Sequence, residues 1–152
     1  MPTAEATARL SIFDRLFSPL DRYREYAPFF IRLFVGWHLI YGVQDNILSW
    51  ERMLEFRDFL AQFKFPVPLV SAVVSVYAQF ICGVLYILGL FTRPAAAVMI
   101  FNFVAALLMV HLGDPYPTAA LAFAMLSGSL FLLFHGAGKP SVDNRLSGRN
   151  QR

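Results

Sequence analysis

Leu69–Phe91 runs through the chain without a single charged residue. A helix that crosses a bilayer needs about 20 mainly apolar residues, so this stretch by itself makes lipid the solvent to reason from. Pro94–Leu112 and Pro117–Phe134 are charge-free as well, and both fall within the usual spanning range of about 17–25 residues. Pro28–Leu48 has the length but carries Arg32, His38 and Asp45. Of the 152 residues, 57% are hydrophobic and 15% charged, well short of the roughly one quarter charged residues of a soluble domain. The pattern predicts an all-α fold: a four-helix transmembrane bundle, up-down-up-down, because the connections "TRP" and "GDPYP" are too short to join anything but antiparallel neighbours.

Two further segments read as short amphipathic, interfacial helices. Leu10, Phe13, Leu16, Phe17 and Leu20 fall at helical spacing ahead of the first span. Between the first two spans, Ser49 is placed to cap a helix reaching Phe63, with Glu51, Glu55 and Asp58 on one face and Trp50, Met53, Phe56 and Leu60 on the other. The chain then divides into an amphipathic N-terminal segment (1–27), a four-span domain (28–146) and a polar tail (147–152). The apolar run comes too late for an ordinary cleavable signal. Nine Lys and Arg fall on the side of the two termini and three on the other, so the positive-inside rule puts both termini in the cytoplasm. The expected location is the bacterial cytoplasmic (inner) membrane.

Composition also excludes chemistry. Cys82 is the lone cysteine, so no dithiol or internal disulfide can form within this chain. His38, His111 and His135 fall at different depths, and no Cys/His cluster or HExxH run exists, so no metal site is expected. The basic residues flank spans, where topology explains them, and nucleic acid is not an expected partner. "HGAGKPS" lacks the spacing of a phosphate-binding loop.

Polar side chains inside lipid are costly unless they find partners, and each is a candidate. His38, Tyr41, Gly42 and Asp45 form one helical stripe, and Ser75, Gln79, Cys82, Gly83 and Tyr86 form another. With a rise of about 1.5 Å per residue, His38, Gln79, Asn102 and Ser127 all come near the midplane. His38 and Gln79 are therefore expected to meet in the bundle interior, with Tyr41, Cys82, Tyr86 and Asn102 around a small polar pocket. Plain interhelical hydrogen bonding is the competing account. Arg32, a turn inside the boundary, either reaches back to lipid headgroups or turns inward toward an anion. In "GLFTRPAA", Arg93 sits at the mouth of the bundle. Ser141 is placed to cap a short helix containing Asp143, and an Arg93–Asp143 ion pair is expected to fold the tail back under the spans.

"GLFTRPAA" (89–96) resembles the G-L-x-T-R-x-A-A turn of DoxX-family membrane proteins, and "HGAGKPSVDNRL" (135–146) resembles their closing G-x-G-x-x-S-x-D-x-x-L. Arg32 and Gly42 fit the family's first-helix pattern, and His111 has a counterpart in many members. Gln79 stands where members often carry an acidic residue, and Gln44 and Asp45 stand where many carry a lysine. The resemblance implies a relation to a thiosulfate:quinone oxidoreductase subunit. It therefore implies a redox-associated membrane protein that takes a quinone or other hydrophobic small molecule and works with a soluble or membrane partner protein, with a homo-oligomer also compatible. The chain carries no intrinsic cofactor motif and is not expected to catalyse alone; an accessory subunit of a quinone-linked oxidoreductase is the enzyme-linked role. A non-enzymatic membrane scaffold or assembly factor is the alternative.

Overall fold

A computed structural model describes residues 16–148. The apolar stripe at Leu10 and Phe13 lies outside the described residues; 16–21 are helical. A 3-10 turn at Arg24–Tyr26 leads into α1 (Ala27–Leu48), with Pro28 in the first turn, where its missing N–H costs nothing. Ser49 is extended, and its Oγ accepts from the Arg52 backbone N–H at the start of α2 (Trp50–Gln62). Both this cap and this helix stand where the sequence pattern predicts them. Then come α3 (Pro68–Leu88), α4 (Thr92–Met109), α5 (Tyr116–His135) and the short α6 (Val142–Leu146). No strand occurs among the described residues.

Four of these helices, α1, α3, α4 and α5, are long and apolar enough to cross a membrane, as the four long apolar runs required. They alternate in direction and form a ring in which α1 packs most extensively on α3 and α4 on α5, with α3–α4 and α1–α5 contacts closing it. The ring's core is Val35, Leu39, Cys82, Tyr86, Ala96, Met99, Met125 and Leu132. α2 buries Met53 and Leu60 against Val43, Ala72 and Val76, covering the halves of α1 and α3 that lie away from the termini. Phe30, Trp37, Phe101 and Phe134 point outward, as an apolar solvent permits.

At the α1–α3 crossing the two backbones nearly touch. A Cβ added at Gly36 would stand 2.8 Å from the Gly83 carbonyl oxygen, and one at Gly83 would stand 2.9 Å from that of Gly36. Small residues are what allow such an approach in a bilayer, where dispersion contacts hold helices together.

One boundary differs from expectation. The third span begins at Thr92, so Arg93 is in the first turn of α4 rather than in a free loop. A cation there opposes the helix dipole, and a carboxylate on the tail compensates it.

Candidate functional site

The mid-membrane set divides rather than converging. Gln79 Nε2 donates to Ser75 Oγ (3.2 Å), and the Ser75 hydroxyl donates to Asn102 Oδ1 (2.8 Å), tying α3 to α4. The Tyr86 hydroxyl donates to Ser129 Oγ (3.1 Å), tying α3 to α5, with both side chains fully buried. Cys82 is buried and free. His38 does not join them. Its Nδ1 lies 2.9 Å from the Phe34 carbonyl oxygen one turn back, and its ring packs on Phe34. Tyr41 is 62% exposed and stacks on Trp37, and Ser127 is exposed. The hydrogen bonds of His38 and Gln79 run to different partners, so the expected meeting of these two is not observed. Rise along a helix gives depth and does not fix azimuth. The buried residues of α1 are Pro28, Arg32, Val35, Gly36, Leu39 and Val43, and His38 falls beside that stripe.

The family-like motif residues do converge, at the mouth on the side of the termini. Arg32 is 1% exposed and points inward. Its Nη1 donates to the Ala137 carbonyl (2.8 Å) and its Nη2 to the Pro140 carbonyl (2.6 Å), so one guanidinium fork spans the tail loop. Neither headgroups nor a carboxylate takes these donors. Gly89 closes α3 in the left-handed region (φ 65°), and a Cβ there would run into the Arg32 guanidinium and Ser141. Ser141 caps α6 by accepting from the Asn144 N–H, as its position suggested.

Asp143 is anchored differently from the expected pair. Its carboxylate accepts from the backbone N–H groups of Phe91 (2.8 Å) and Thr92 (2.9 Å) at the start of α4, and its own N–H donates to the Gly89 carbonyl. Arg93 Nη2 instead donates to the Phe134 carbonyl at the end of α5 (3.2 Å). The expected Arg93–Asp143 ion pair is therefore replaced by an anion on a helix N-terminus, the place where free N–H groups and the helix dipole favour negative charge. This also offsets the cation in that turn. The tail does fold back under α3 and α4, by this route. Asp143→Ala is expected to lower stability by about 1–2 kcal/mol, the usual cost of a lost cap. Arg93→Ala should cost only about 0.5–1.5 kcal/mol, the worth of one ordinary hydrogen bond. Thermal unfolding of both variants in one detergent would expose an error if Arg93→Ala proved the more damaging.

A second feature lies at the opposite end, between the last turns of α4 and the first of α5. A cleft of about 460 Å³ is lined by Leu107, Leu108, His111, Tyr116, Ala119 and Phe123, among others. At its polar end His111 Nδ1 lies 3.0 Å from Asp114 Oδ2. An ionised carboxylate can only accept, so Nδ1 carries the proton and Nε2 is left available. The remaining lining is apolar or aromatic. Sequence reasoning gives His111 a place only as an unsuitable metal ligand and a family counterpart, and so misses this site. The signal that could have found it is His111-x-x-Asp114 in a tight turn between two apolar helices. Among the described residues no three His, Cys, Asp or Glu side chains come together as a metal site would require.

Comparison with known proteins places the chain in a family. The profile of the DoxX family matches residues 27–112, which covers α1 to the end of α4. An uncharacterized membrane protein of Mycobacterium tuberculosis is 34% identical over 85 residues, 47% of this chain and 52% of that protein, so the match spans about half of the relative's length. An uncharacterized protein of Haemophilus influenzae is 27% identical over 135 residues, 83% of this chain and 95% of its own. The inner membrane protein YphA of Escherichia coli is 27% identical over 111 residues, 65% of this chain and 79% of its own. No solved structure matches the chain.

Proposed function

The chain belongs to the DoxX family, and from that premise we propose that it is a membrane subunit holding a quinone, or a similar lipophilic small molecule with one polar head, in the cleft between α4 and α5. The observation that carries this reading is the cleft itself. Its volume of about 460 Å³ lies within the roughly 300–1,000 Å³ of small-molecule sites, and it has their usual make-up of apolar walls with few polar groups. Leu107, Leu108 and Phe123 suit a flat apolar ring, and His111 gives its head one oriented partner. With Nδ1–H held by Asp114, the neutral ring accepts a hydroxyl proton at Nε2. Protonated, it donates to a carbonyl oxygen. The pair is thus suited to take or return one of the two protons that move when a quinol and a quinone interconvert, the other exchanging with water at the open side of the cleft. Electrons must come from a partner protein, because this chain's one thiol is buried and alone. The Lys and Arg distribution supports placement in the inner membrane with both termini cytoplasmic, which puts this cleft at the outer surface.

The test is a titration of the purified full chain, in lipid nanodiscs, with a short-chain ubiquinone analogue. Saturable binding is expected. His111→Ala should weaken it about tenfold, the equivalent of about 1.4 kcal/mol, and so should Leu108→Trp, which narrows the cleft from an exposed position. His38→Ala and Gln79→Ala should leave it unchanged. Absence of saturable binding, or equal binding by the His111 and Leu108 variants and the wild type, would leave the scaffold role as the better account.

A further inference from the structure

On the side of the termini, a separate cavity of about 190 Å³ is lined by Tyr26, Lys139, Pro140, Ser141, Asn144 and Arg145. It shares no residue with the cleft at His111, and a ligand could fill it whether or not that cleft takes a quinone. The volume is several times the roughly 30 Å³ a water occupies in the liquid. Two cations and no acid line it. Asp143, the carboxylate closest in sequence, is turned away and occupied by the Phe91 and Thr92 N–H groups. Lys139 Nζ is 2.9 Å from Glu25 Oε2. That hydrogen bond holds the ammonium above its ordinary pKa, so it stays charged at neutral pH. Arg145 is exposed and enters no ion pair among the described residues.

The cavity is also well placed and rigid. A Cβ at Gly138 would touch the Glu25 carbonyl and Pro28, so the loop bearing Lys139 lies where α1 enters the apolar layer. That is the level of the headgroups. The loop is fixed at three points: Arg32 holds the Ala137 and Pro140 carbonyls, Asp143 holds the start of α4, and the Lys139 N–H donates to the Glu25 carbonyl. The two cations are thus carried on a backbone that is already ordered, which lowers the entropy cost of binding.

We propose that Lys139 and Arg145, with Tyr26 and the Ser141–Asn144 turn, form a binding site for the phosphate group of an anionic lipid headgroup. Arg145 supplies the fork that matches phosphate oxygens and Lys139 a point charge. The site lies at a depth that a bilayer lipid's phosphate reaches and that a soluble anion must share with it.

The experiment compares lipid retention by the full chain using native mass spectrometry after purification in mild detergent, with phosphatidylglycerol or phosphatidylcholine added back. Wild type should retain phosphatidylglycerol in at least tenfold preference. Lys139→Gln combined with Arg145→Gln should lose at least tenfold of that retention. Arg22→Gln combined with Arg24→Gln removes two cations from the same side, outside this cavity, and should change it less than threefold. Equal losses from the two pairs would mean diffuse attraction to a basic surface and would overturn the site, as would equal retention of both lipids. A third arm adds millimolar inorganic phosphate. Displacement of the lipid supports a phosphate site that free phosphate can also fill, and lack of displacement supports a site read through the whole headgroup. Lys139 is only half-buried and Arg145 is exposed, so the double variant should fold; an unchanged unfolding temperature confirms that its loss is in binding.

Discussion

Arg32→Ala should be the most damaging single substitution in this chain, lowering stability by about 3–5 kcal/mol. The side chain is 1% exposed and spends its fork on the Ala137 and Pro140 carbonyls. Removing it leaves the buried Ala137 carbonyl without a donor, at about 1–3 kcal/mol, takes a hydrogen bond from the part-buried Pro140 carbonyl, and opens a void beneath the tail loop. Arg32→Lys keeps the charge, but a single ammonium cannot span both carbonyls with the same geometry, so it should recover only part of the loss. The measurement is thermal unfolding in a fixed detergent. If Arg32→Lys matched wild type, charge alone would be at work and the fork geometry would be irrelevant. If Arg32→Ala were neutral, the tail would be held by Asp143 and Ser141 without it.

The second large effect is expected at the α1–α3 crossing. A methyl at Gly36 would sit 2.8 Å from a backbone oxygen of Gly83, and backbone cannot rotate aside as a side chain can. Overpacking of this kind costs about 1–3 kcal/mol, and here it must also outweigh the roughly 1 kcal/mol that alanine gains over glycine in a helix interior. Gly36→Ala should therefore destabilise, and Gly36→Val more so. Gly42 provides the internal comparison. It lies on the same helix with nothing within 4 Å of an added Cβ, so Gly42→Ala should be neutral or stabilising by up to about 1 kcal/mol. The Gly36→Ala/Gly83→Ala double variant should cost less than the two singles together, because one separation of the helices accommodates both methyls. Similar unfolding temperatures for Gly36→Ala and Gly42→Ala would mean that the helices separate at no cost and that the close approach is not what holds them.

The family relation and the tail geometry bear on one another. The motif residues Gly89, Thr92, Ser141 and Asp143 meet around Arg32, and their contacts run to backbone groups or to one another. They close the bundle at the side of the termini and present the loop that carries Lys139 and Arg145. The chemistry proposed for small molecules lies at the other end, at His111 and Asp114, and the profile match at 27–112 includes the first of these residues and not the second.

The residue pattern alone determined the number of spans, their alternation, the capped helix after Ser49 and the cap at Ser141. Each of these has a local cause. An uninterrupted apolar run must be a helix in lipid because no other single segment satisfies its backbone, short loops permit only antiparallel neighbours, and a serine hydroxyl caps the helix it precedes. The convergence of Arg32, Gly89 and the tail was legible only as motifs lying far apart in the chain, and motif spacing does not name partners. What tertiary structure alone decided was azimuth and choice of partner. Residue count sets how deep His38 and Gln79 lie along their helices. Which way each side chain faces depends on how neighbouring helices cross: α1 meets α3 at Gly36 and Gly83, with Leu39 and Arg32 buried and His38 half-buried beside that stripe. Charge alone pairs Asp143 with Arg93, but α4 begins at Thr92, which places two free N–H groups within reach of Asp143. Backbone donors at a helix start have no signature in side-chain identity, and for that reason an ion pair is expected from the sequence where a helix cap is found.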